Sequence, residues 1–176
     1  MILKTILVYQ SYSGFTKRYA EWIQEELNCT TVPLKEADIS KVAEYDIVIF
    51  GGGIHASRIN GVKFIRSNWE TLKTKHLIMF ATGATPAEVK EEVDKYREIN
   101  VPSGSNIPFF YFQSGLNYKD MRVIDKILMG LAKFVLKTKK DKDSVEQGAT
   151  ATMFEPHDSS NPIFIKPLID YVKGLG

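Results

Sequence analysis

Five short apolar runs, with helical patterns between them, set the limits on what this chain can become. They are Ile2–Tyr9, Thr30–Leu34, Asp46–Phe50, His76–Ala81 and Ile107–Gln113. Each is too short to be a stable helix. Asp46–Phe50 (DIVIF) is apolar without alternation, as in a parallel strand covered on both faces. The stretches between them have helical spacing. Thr16–Leu27 carries Tyr19, Ile23 and Leu27 on one side, and Gly61–Leu72 carries Phe64, Ile65, Trp69 and Leu72. Pro86–Ile99 reads as a helix with Thr85 as N-cap and Pro86 at its first position. Asp120–Leu136 and Pro162–Lys173 complete the set. Strands alternating with helices predict an α/β fold with a doubly wound, five-stranded parallel sheet. Pro33 cannot donate to a ladder, so the second strand belongs at an edge. At 176 residues the chain is read as one domain, 1–176, with an extended helical segment 119–160 between strand five and the last helix.

Ligands of such sheets bind beyond the carboxyl ends of the strands, at the topological switch point. The loop after strand one is Ser11-Tyr12-Ser13-Gly14-Phe15-Thr16, leading into a helix. A helix start offers unpaired N–H groups and the positive end of a dipole, and three hydroxyls can donate to phosphate oxygens. Gly14 lets backbone approach a ligand closely. A triphosphate P-loop is excluded, since it needs a second glycine and Lys before the Ser/Thr. A dinucleotide fingerprint needs three spaced glycines, although Glu36 lies about 20 residues on, where a ribose-binding acid would sit. One Gly among hydroxyls suits a terminal monophosphate. The plain alternative is a helix capped by Ser13.

The other mouth loops are Gly51-Gly52-Gly53-Ile54-His55-Ala56-Ser57-Arg58, Ala81-Thr82-Gly83-Ala84-Thr85 and Ser114-Gly115-Leu116-Asn117-Tyr118. All carry glycine and polar groups. Three consecutive glycines allow a peptide to reverse or to lie flat against a ring.

Composition narrows the class. The chain is 44% hydrophobic and 25% charged, as a soluble globular protein is. A net charge of +2 argues against a dedicated nucleic-acid binder. One cysteine, Cys29, excludes an internal disulfide and a cysteine metal cluster; no metal site is expected. No apolar run reaches membrane-spanning length and no leader is recognised, so a cytoplasmic location is expected.

The pattern S/T-x-S/T-G-x-T after strand one, with a Gly-rich loop after strand three, resembles the flavodoxin family over nearly the whole chain. The resemblance implies a flavodoxin-like fold with strand order 2-1-3-4-5 and bound FMN. It puts the phosphate on Ser11, Tyr12, Ser13, Gly14, Phe15 and Thr16. It puts the flavin ring against Gly52, Gly53, Ile54, His55 and Ala56, with Thr82, Gly83, Ala84 and Thr85 opposite and Gly115 nearby. More narrowly, Gly51-x-x-Ile54, Gly115-Leu116-x-Tyr118 and the helix opening Met121-Arg122-x-x-Asp125 look like the menaquinone-dependent protoporphyrinogen dehydrogenase branch. That likeness implies an oxidoreductase passing electrons between an apolar or quinone-like substrate and FMN. A flavodoxin-type carrier is the alternative, but such carriers tend to be strongly acidic.

Within this frame Arg58 and Tyr118 are candidates to meet the substrate or a redox partner protein. His55 is a candidate to stack or shuttle a proton. No catalytic residue is singled out. In Asp120–Leu136 a wide apolar stripe is bordered by Lys126, Lys133 and Lys137. It suggests a peripheral membrane contact through 120–140. A homodimer is a further expectation.

Overall fold

The computed structural model describes residues 3–116 and 156–176. Tyr118, the helix expected at Asp120–Leu136 and its lysines lie outside the described residues.

The main sheet is built from β1 (Thr5–Gln10), β2 (Thr30–Pro33), β3 (Ile47–His55), β5 (His76–Gly83) and β6 (Phe109–Gln113). Their order is β2-β1-β3-β5-β6 and every pairing among them is parallel. This is the expected order 2-1-3-4-5, with Pro33 on the edge strand as expected. A short β4 (Arg58–Ile59) folds back antiparallel on the end of β3.

Helices cover both faces. On one, α1 (Phe15–Leu27) and α6 (Lys166–Lys173) enclose Leu7, Ile49, Ile78, Phe80 and Phe112. Tyr19, Phe112 and Phe80 run through this layer with successive ring centroids 5.1 Å apart. The other face holds Ile6, Val8, Val48, Phe50, Leu77 and Met79 under α2 (Ile39–Val42), α3 (Lys63–Ser67) and α4 (Trp69–Leu72). Alternate residues of one strand therefore enter different cores, which is why the central strands lack a polar face. Cys29 is buried in the first core, and burial pushes its thiol pKa up.

Several boundaries differ from expectation, each for a local reason. The third strand does not stop at Phe50. It runs through all three glycines to His55, because Gly51, Gly52 and Gly53 pair with Phe80, Ala81 and Thr82 of β5. The expected helix Gly61–Leu72 is split at Asn68, whose side chain donates to the Phe64 carbonyl. The helix expected from Pro86 begins at Lys90, giving α5 (Lys90–Asn100). Thr85 does not cap it; its hydroxyl instead pairs with Tyr96 Oη at 2.9 Å. The last expected helix opens with a 3₁₀ turn, Pro162–Ile165, before α6. The chain leaves the described core through β7 (Gly115–Leu116) and returns beside it through β8 (His157–Asp158), antiparallel.

Candidate functional site

The carboxyl ends of β1, β3, β5 and β6 meet around a cleft of about 130 Å³. Of the residues singled out in the sequence, Tyr12, Ser13, Thr16, Gly53, Ile54, His55, Thr82, Gly83, Ala84 and Gly115 line it. Ser114 and Leu116, named in the fourth mouth loop but not singled out as ligands, line it too, as does Asn60, which was missed. Asn60-Gly61 is a recognisable turn dipeptide, but only the fold of the hairpin brings it back to the cleft. Among the described residues, no Lys, Arg, Asp or Glu lines the cleft, and the polar groups they supply are hydroxyls, amides, backbone and the His55 imidazole.

The loop after β1 is not closed by Ser13. Gly14 is the N-cap of α1, at φ 87° and ψ −27°, and no side chain caps the helix. A φ in that region favours glycine, whereas a Cβ there would meet no neighbour. Conformation, not crowding, accounts for this glycine. The first turn of α1 carries no acid of its own to compete for its N–H groups. Phe15, the first residue of α1, is buried, with the Arg18 guanidinium 5.8 Å from its ring centroid. Ser11 Oγ is buried and has no hydrogen-bond partner among the described residues. A buried hydroxyl without a partner is costly and calls for an explanation. Ser11 and Gly14 face a second, wider cleft of about 460 Å³ on the β2 side of the loop, with Lys17 and Lys35 on its walls.

Thr16 joins the two sides of the first cleft. Its Oγ1 lies 2.8 Å from Thr82 Oγ1, and both residues are 2% exposed. With Asn60 Nδ2, these two hydroxyls surround the position where Gly53 lacks a side chain, each within 3.7 Å of where a Cβ would sit. The neighbouring glycines have packing reasons instead. A Cβ on Gly51 would fall 2.0 Å from the Phe80 ring, and one on Gly52 would fall 2.4 Å from the Asn60 carbonyl oxygen. Gly52 is thus a close-approach residue. It is not among the residues that line the cleft.

The expected loop Gly52–Arg58 is a hairpin. His55 pairs with Arg58, and Ala56 and Ser57 form its two-residue turn at φ 46° and 63°. Arg58 is exposed beside His55, away from the cleft lining, and Ala56 sits at the tip. Thr85 also lies outside the lining. Tyr111 Oη donates to its carbonyl at 2.9 Å, which fixes the loop after β5. Burial raises the Tyr111 pKa well above the ordinary phenol range. Gly115 lies where a Cβ would strike the His157 carbonyl at 2.0 Å, so it permits the β7–β8 pairing as well as lining the cleft.

The flavodoxin domain family matches residues 6–144, most of the chain. The chain belongs to the flavodoxin domain family. Comparison with curated proteins found no match. Three solved structures are among the similar ones. A flavoprotein candidate from Bacteroides eggerthii is 17% identical, with 74% of this chain and 99% of that one covered at a TM-score of 0.48. A flavodoxin from the domain Archaea is 19% identical, with 76% and 99% covered at 0.41. A flavoprotein from Lactobacillus acidophilus, solved in complex with FMN, is 17% identical, with 64% and 93% covered at 0.44.

Three traits of this flavodoxin domain bear on what it can hold. The strand-one loop carries hydroxyls and leads into a helix whose first turn holds no acidic residue. The strand-three end is a strained hairpin and not a loose loop. The chain also departs and returns at the rim of the cleft through β7 and β8, where Ser159 N donates to the Ser114 carbonyl at 2.9 Å. Among the described residues, no group of acids, histidines and cysteines could hold a metal ion, and no helix is long and apolar enough to cross a membrane.

Proposed function

We propose that this flavodoxin domain binds FMN at the mouth of β1, β3 and β5 and acts as an oxidoreductase on an apolar or quinone-like substrate. One observation carries the cofactor reading above the others. Among the described residues, Ser11 Oγ is buried without a partner, in the loop leading to a helix capped by Gly14 with no acid in its first turn. A dianionic phosphate would supply the missing acceptor and meet the N–H groups of the first turn.

The residues suit the rest of the cofactor. Ser11, Ser13 and the amides from Gly14 onward would hold the phosphate. Thr16 and Thr82 already satisfy one another, yet each hydroxyl retains a free lone pair or proton for a ribityl hydroxyl. Backbone of Gly53–His55 and of Thr82–Ala84 would flank the ring. The enclosed volume, about 130 Å³, is below the roughly 300–1,000 Å³ of pockets that bury a whole small molecule. Bound FMN supplies hydride and single-electron chemistry, and the protein contributes binding and orientation.

The slightly basic chain speaks for a substrate of its own and against an acidic carrier. The experiment is to load the protein with FMN, reduce it anaerobically, and add either a short-chain quinone or an oxidised haem protein. Reoxidation by quinone faster than that of free reduced FMN is expected. Quinone reoxidation no faster than the free cofactor, together with rapid delivery to the haem protein, would overturn the enzyme reading in favour of a carrier.

A further inference from the structure

The β3–β4 hairpin has an unusual turn. Two-residue turns with both central residues at positive φ are favoured by Asn-Gly or Asp-Gly, because residues with a Cβ are strained there. Here the two residues are Ala56 at φ 46° and Ser57 at φ 63°. Alanine has no side chain with which to hydrogen-bond its own backbone. Such strain persists only where the surroundings over-determine the conformation.

Among the described residues, one side chain is bonded to both the turn and the strand that leaves it. Asn100, at the end of α5, is 1% exposed. Its Nδ2 donates to the Ser57 carbonyl at 2.8 Å and to the Tyr96 carbonyl at 2.7 Å, and its Oδ1 accepts from the Ile59 amide at 2.8 Å. Both amide protons and the carbonyl are thus engaged. The side chain grips the turn at its exit and ties it to the helix behind the sheet. Next along the chain, the Asn60 amide donates to the Gly53 carbonyl at 2.9 Å, so the hold extends to the cleft wall.

We infer that Asn100 is a positioning residue for the cofactor site. It touches no ligand; it holds Ala56 and Ser57 in the strained turn and thereby fixes Gly53, Ile54 and His55 at the cleft. This rests on the FMN reading of the site. The inference separates ring binding from phosphate binding, since the hairpin belongs to β3 and the phosphate loop to β1.

The test uses Asn100→Ala, and a triple variant that adds Ala56→Asn and Ser57→Gly. The replacement turn adopts positive φ without an external anchor. FMN affinity and inorganic phosphate affinity are measured by titration, and amide exchange at Ile59 by NMR. Asn100→Ala should lower FMN affinity about tenfold, leave phosphate affinity within about twofold, and speed Ile59 exchange. The triple variant should recover most of the FMN affinity. Wild-type FMN affinity in Asn100→Ala, or no recovery in the triple variant, overturns the inference. If Asn100→Ala does not fold, folding of the triple variant is expected and its failure is the contrary result. Wild-type protein that binds no FMN refutes the cofactor reading instead. In that case the exchange rate of Ile59 alone decides whether Asn100 holds the turn.

Discussion

Thr16 and Thr82, 66 positions apart in sequence, share a buried hydrogen bond of 2.8 Å between their hydroxyls. It ties the first turn of α1 to the end of β5 across the floor of the cleft. Either Thr16→Val or Thr82→Val leaves one hydroxyl buried without its partner, at a cost of about 1–3 kcal/mol. The double variant removes both groups and should cost less than the sum of the singles. Chemical denaturation of the four proteins measures this, and simple additivity would show that the two hydroxyls act independently.

Gly51 is a packing residue. A Cβ there would overlap the Phe80 ring, which sits in the aromatic layer with Phe112 and Tyr19. Gly51→Ala should destabilise the fold by about 1–3 kcal/mol through overpacking. Pairing it with Phe80→Leu should recover part of the loss. Thermal denaturation reads both, and an unaffected single variant would mean that the sheet yields more readily than the geometry implies.

Tyr19 governs an alkaline limit. Its hydroxyl donates to the Gln113 carbonyl and accepts from the Asn161 amide at 3.1 Å. Burial raises its pKa to about 12, against a smaller opposing effect of the Asn161 hydrogen bond. The folded state therefore holds this proton more tightly than the unfolded chain, whose phenol titrates near 10. The stability so gained is complete below pH 10 and is lost as pH rises from about 10 through about 12. Tyr19→Phe should reduce stability at pH 7, with loss of two hydrogen bonds, and flatten the decline above pH 10. Denaturant midpoints across pH 7–12 test it; an unchanged alkaline slope would assign the decline to Tyr111 or elsewhere.

Arg18 bridges α1 to the returning chain, reaching Asp158 and, at 2.8 Å, Ser160. Both charged side chains are nearly half exposed, so solvent screens the pair. Arg18→Ala should cost less than about 1 kcal/mol, and less again in high salt. A larger loss by denaturation would mean that the bridge anchors the segment entering at β8.

Much of this frame was legible in the chain. The parallel, doubly wound sheet followed from strand and helix alternation, its order from the resemblance to flavodoxins, and the edge place of β2 from Pro33. The hydroxyl-bearing loop leading into α1 was legible before a helical pattern, although Gly14 rather than Ser13 turned out to be the cap. The hairpin was not legible. Ala56-Ser57 is no turn signal, and glycines ordinarily weaken strands, so Gly51–Gly53 read as loop. They stay in the ladder through their pairing with β5, and the Phe80 ring and the Asn60 backbone fill the space that side chains on Gly51 and Gly52 would take. Asn100 was invisible for a related reason. At the end of a helical pattern an Asn reads as a terminus signal, and its three partners are set by tertiary contact.

The most direct measurement of the central claim is a pair of titrations of the apo-protein, one with FMN and one with riboflavin, followed by quenching of flavin fluorescence. A phosphate held by Ser11, Ser13 and the start of α1 predicts saturable one-to-one binding of FMN, tighter than riboflavin by about a hundredfold or more. Ser11→Ala should narrow that gap. FMN that fails to bind, or that binds no better than riboflavin, would contradict the account.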